Sequence, residues 1–117
     1  MELTTDSICK RVFHNEIVEF ARLSDLSISI QAHHNTSMPD KEKIITGEIN
    51  MLYAGARALY NNIIDAKIPE NISSTDSLKC GIFGNTMLRL TKELVNDSAI
   101  QEIIGVYIKE DTEKYHI

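Results

Sequence analysis

DKEKIITGEINMLYAGARALYNNIIDAKI, residues 40–68, carries Ile45, Ile49, Leu52, Ala56, Leu59 and Ile63 at steps of 4, 3, 4, 3 and 4. That spacing gathers the six side chains on one face of a helix and would scatter them over both faces of a strand. A seam of this kind buries itself against other helices, so the stretch decides the fold class. Ser37, with Asp40 three residues on, resembles a capping box, and Pro39 suits a first turn. Pro69 ends the helix. Gly47 and Gly55 each weaken a helix interior by about 1 kcal/mol relative to alanine unless a neighbour packs closely. Ala54, Ala56 and Ala58 keep the helix thin around Gly55 and predict a close approach there.

Outward from this helix, Cys9, Phe13, Ile17 and Phe20 step by 4, 4 and 3 and predict a helix over residues 5–34. Within it LSDLSISIQA, residues 23–32, alternates apolar and polar side chains, a strand pattern with no second strand to pair with, so the helix is expected to continue. Beyond the loop PENISSTD, where Ser74, Thr75 or Asp76 can cap, Cys80, Phe83, Met87, Leu90 and Leu94 step by 3, 4, 3 and 4 and predict a helix over 76–96. Ser98 with Gln101 forms another capping-box pattern ahead of Ile100, Ile103, Ile104 and Tyr107, for a helix over 98–109. The polar tail, 110–117, is expected to fray. The expectation is one all-α domain, an antiparallel bundle of three to four helices.

The 117 residues suffice for one compact domain, and 43% hydrophobic with 25% charged residues is ordinary globular composition. No apolar run approaches the roughly 20 residues of a membrane span. The amino-terminal stretch lacks the pattern of a signal peptide, so a cytoplasmic protein with reduced cysteines is expected. Twelve basic residues scattered among 17 acidic ones, net −5, argue against a nucleic-acid surface, which concentrates its basic residues.

The chemistry-bearing residues form no catalytic set. Four-helix metal carboxylate sites need two Glu-x-x-His pairs on separate helices, and the chain has a single one, Glu113 with His116 in the polar tail. Glu16, Glu19 and Glu48 fall on polar faces where a solvated surface is expected. His33 and His34 are adjacent, so on a helix they point about 100° apart and share no metal ion. No metal and no cofactor is expected. Cys9 and Cys80 read as small core residues, without CxxC or a zinc spacing. Gly81 and Gly84 lie inside a helical period and read as sites of close packing, not as a phosphate loop. The Glu-x-x-Glu of helical pyrophosphohydrolases is present in Glu16 and Glu19 without the Glu-x-x-Asp that follows it there, and no enzyme is expected.

Two stretches resemble phosphorelay proteins. His14-Asn15-Glu16-Ile17 opens a helical segment, and YAGARALYNNIIDAKIPE resembles the second helix of the sensor-kinase dimerisation hairpin. The resemblance covers about half the chain and implies a phosphoacceptor histidine, His14. No proline follows His14 by five residues, and His33 lacks the His-x-x-Lys-Gly pattern of phosphotransfer domains. His33 and His34 are expected instead to close the first helix, where imidazole suits the negative end of the helix dipole, with Asn35-Thr36-Ser37 as the turn.

A small acidic bundle without a catalytic constellation is expected to act by binding proteins, as an adaptor, inhibitor or immunity-type protein that meets a basic partner. The phosphorelay is the alternative. Tyr53, Tyr60 and Ile64 lie beside the main seam of 40–68, predicting an interface and a homodimer in which the tyrosines are anchors outside the core.

Overall fold

The computed structural model describes residues 3–108, 115 and 117, with side chains from residue 8 on. Five helices follow one another: α1 (Leu3–Val12), α2 (His14–His34), α3 (Lys41–Asp65), α4 (Ser74–Asn96) and α5 (Ser98–Tyr107). The all-α bundle holds, and the alternating stretch 23–32 is helix throughout, as expected without a partner strand.

The long helices alternate in direction. His33 on α2 meets Glu48 on α3 and Leu23 meets Gly55. Tyr53 on α3 meets Val95 at the end of α4, while Tyr60 lies under Lys92. Both pairings run antiparallel. α3 therefore stands in the middle, packed along α2 on one side and α4 on the other, while α2 and α4 barely touch. The molecule is long and flat, 55 × 27 × 19 Å, and its thinnest dimension is about two helix diameters.

The core follows the seam of α3, whose Ile45, Ile49, Leu52, Ala56, Leu59 and Ile63 are all buried. Gly55 makes the expected close approach, since a Cβ there would stand 2.6 Å from Leu23 Cδ2. Gly47 does not, because nothing lies within 4 Å of its would-be Cβ. In α4 the buried line is not the expected one. Cys80, Gly84, Met87, Thr91 and Val95 face inward, so Phe83, Leu90 and Leu94 are turned partly away. Gly84 sets this rotation by admitting the Phe13 ring, whose Cζ would lie 3.0 Å from a Cβ. Gly81 has open space and serves no close packing.

Several boundaries differ from expectation, each for a local reason. The helix expected over 5–34 bends at Phe13, where α1 leans onto α4, although the backbone bonds Phe13 N–Cys9 O and Ile17 N–Phe13 O carry the ladder across. Among the described residues the bundle thus has five helices, where three to four were expected. α3 ends at Asp65, with Ala66 extended, short of Pro69. Neither Ser37 nor Asp40 caps α3 by its side chain. Lys41 secures that turn instead, its ammonium donating to the His34 and Thr36 carbonyls at 3.3 and 3.0 Å, a cation where the α2 dipole is negative. Ser73 caps α4 by accepting from Asp76 N, and Asp97 caps α5 by accepting from Ala99 N and Ile100 N. Gln101, expected in a capping box, donates to Tyr53 Oη and Val95 O. Of the tail expected to fray, only Tyr115 and Ile117 fall within the described residues, and Tyr115 is buried, edge-on to Tyr53 and donating to Asn50.

Candidate functional site

The one-sided packing of α2 leaves a consequence at its amino-terminal half. Ile17 and Phe20 on α2 face Phe83, Thr86, Met87 and Leu90 on α4 across a cleft of about 250 Å³. Ile17, Phe20, Phe83 and Leu90 belong to periodic seams that the sequence marks as core, yet each is only half-buried. On α4 the apolar strip continues toward the amino end at steps of four, through Ile82, 57% exposed, and Leu78, 66% exposed. Phe83 also stacks on Phe13, with ring centres 5.6 Å apart. Glu19 does not line the cleft; it pairs with Arg22 toward Gly55 of α3, and the guanidinium holds that carboxylate below its ordinary range.

A polar cluster joins the other half of α2 to α3. Nδ1 of His33 donates to Glu48 Oε1 at 2.7 Å, and Ser29 Oγ donates to Glu48 Oε2 at 2.6 Å. Glu48 was expected on a solvated face, but its side chain is 14% exposed. With one carboxylate oxygen for each donor, both polar groups are satisfied as they leave water. The trio is not a hydrolase triad. There the imidazole stands between carboxylate and hydroxyl, whereas here serine and carboxylate both lie on the Nδ1 side. His33 Nε2 has no hydrogen-bond partner among the described residues.

His34 turns the other way, as two adjacent helical residues must, and its Nδ1 lies 3.2 Å from Tyr107 Oη, its ring edge-on to that phenol. The two histidines do end α2, and each also ties it to a different helix. His14, the expected acceptor of the relay reading, is exposed but is the first residue of α2, not the middle of a helix face. Among the described residues no three His, Cys, Asp or Glu side chains are placed to hold a metal ion.

Of the expected interface residues, Tyr53 is not at the surface. Tyr53 is 2% exposed, inside the core and not outside it, because its hydroxyl donates to Val95 O at 2.6 Å and caps the end of α4. Burial pushes its phenol up to about 12. Tyr60 is half-buried under the Lys92 ammonium, 5.5 Å from the ring centre, and Ile64 is 55% exposed. Cys9 and Cys80 are both buried, and their sulfurs stand 2.9 Å apart. Neither Glu48 nor the cysteine contact has a local signal, since each joins residues on different helices.

Comparison with known protein families, with curated proteins and with solved structures finds no match.

Proposed function

We propose that the protein acts by binding another protein, and that the cleft between α2 and α4 seats a basic amphipathic helix of that partner. The observation that carries this reading is the incomplete burial of Ile17, Phe20, Phe83 and Leu90, four large apolar side chains on two periodic seams that line one cleft. Phe83 to Leu90 spans about 10 Å of helix, two turns, which matches anchors at i, i+3 or i+4 and i+7 of an incoming helix. The net charge of −5 favours basic flanks on that helix and steers its approach.

Thr86→Arg places a cation in the floor of the cleft, and Met51→Arg places one on the exposed outer face of α3. Partners recovered at low salt by the wild type and by Met51→Arg, and lost by Thr86→Arg, are the expected result, followed by direct binding of the recovered protein. Equal recovery by all three removes the cleft from the function.

A second reading, phosphoryl transfer through histidine, is favoured by the His33 tether. A carboxylate on Nδ1 holds the proton there and leaves the Nε2 lone pair as the nucleophile, a support that His14 lacks. Treatment with phosphoramidate tests it. Acid-labile phosphate lost in His33→Gln and kept in His14→Gln supports the relay, and an unlabelled wild type ends it.

A further inference from the structure

We propose that Cys9 and Cys80 are a redox pair that a disulfide of the glutathione class converts into an intramolecular bond, locking α1 onto α4. Their sulfurs are 2.9 Å apart, against about 2.05 Å in a disulfide, so closing the bond asks for less than an ångström of movement. They are the chain's two cysteines, 71 residues apart in sequence, and they meet where α1 rests on α4. Small core residues would satisfy this contact in many ways, but two thiols at this distance share a chemistry that no other pair would have.

The exchange proceeds in two balanced steps. The thiolate of one cysteine attacks one sulfur of the small disulfide, forming a mixed disulfide and releasing one small thiolate. The second cysteine then attacks the protein sulfur of that mixed disulfide, forming the Cys9–Cys80 bond and releasing the second small thiolate. Two protein thiols are oxidised, one small disulfide is reduced to two thiols, and the two protons pass to the products. Both sulfurs are buried in the docked state, and burial with the adjoining Cys9 sulfur pushes the Cys80 thiol up to about 12. Reaction therefore waits for α1 to lift. A helix of 10 residues has little stability of its own, and local opening of this end is far less demanding than unfolding the bundle.

The bond would also act on the cleft. Phe13 follows Cys9 by one helical turn and stacks on Phe83, so fixing α1 fixes the Phe83 wall. This consequence rests on the proposed docking function, whereas the disulfide does not.

The test incubates the reduced full chain with oxidised glutathione at mildly alkaline pH and reads intact mass without reductant. Expected are a loss of two hydrogen masses, one peptide pair joined through Cys9 and Cys80, and a Tm raised by roughly 10 °C that dithiothreitol reverses. Cys9→Ala and Cys80→Ala should show neither the loss nor the rise. A wild type that ends unmodified, carries glutathione as its final state, or links into dimers overturns the proposal. If the bond forms and oxidised and reduced protein retain the partner equally, the coupling to the cleft falls and the redox pair stands.

Discussion

α2 offers the same kind of apolar face to two neighbours and meets them differently. Its carboxyl-terminal half is closed against α3, with Leu23 and Ile30 fully buried and Gly55 admitting Leu23. Its amino-terminal half faces α4 across the cleft, with Ile17 and Phe20 resting on the core but incompletely buried. Helical spacing is equally regular in both. Periodicity thus reports a face that avoids water and is silent on what covers it. The difference between a closed seam and an open one lies in the packing, where Gly84 and Phe13 rotate α4 so that Phe83 and Leu90 look into the gap.

The largest expected effect comes from truncating each region in turn. Leu23→Ala should lower the unfolding free energy by about 2–5 kcal/mol in denaturant titration, and Leu90→Ala by under about 1.5 kcal/mol, since a half-exposed side chain leaves no closed cavity. Equal losses would mean that the cleft is core.

Two glycines of α3 sharpen the comparison at smaller scale. Gly55→Ala should destabilise by about 1–3 kcal/mol, because the new methyl group meets a buried Leu23 that has nowhere to move. Gly47→Ala, exposed and facing empty space, should stabilise by about 0.5–1 kcal/mol. Thermal melts of both variants check the contrast, and a stabilised Gly55→Ala would deny the tight α2–α3 contact.

The smallest effect is in pH. The Tyr53 phenol titrates near 10 when unfolded and is pushed up to about 12 by burial, so the folded state retains its proton longer. Stability conferred by the neutral phenol is complete below pH 10 and is lost as pH rises toward 12. Tyr53→Phe should flatten that alkaline decline in urea midpoints and lower stability at neutral pH, because Val95 O loses its donor.

Much of the fold was legible because helical spacing is local, whereas the expected caps and the stop at Pro69 were displaced by tertiary partners and by one turn of chain. The seam of α3 and the helix through 23–32 follow from side chains that are neighbours in sequence. The bend at Phe13, the rotated α4 line and the burial of Tyr53 were not legible, since each depends on which distant residue fills or leaves a space: Gly84 for Phe13, the Val95 carbonyl for Tyr53. The candidate site was legible only as its parts. Ile17, Phe20, Phe83 and Leu90 all stand out as apolar and periodic, but reading them as core was the natural inference, and only their shared incomplete burial sets them apart. The Glu48 tether to His33 was hidden for the same reason, as a glutamate on a polar face looks solvated until a second helix approaches it.

The central claim, that the open half of α2 and α4 is where a partner sits, is tested most directly by photo-crosslinking in the cells that make the protein. A photoreactive side chain at position 86 lies in the cleft and one at position 51 lies on the outer face of α3. Crosslinks to a second protein from position 86 and none from position 51 are predicted. Crosslinks from position 51 alone, or from position 86 only to another copy of this chain, would contradict it.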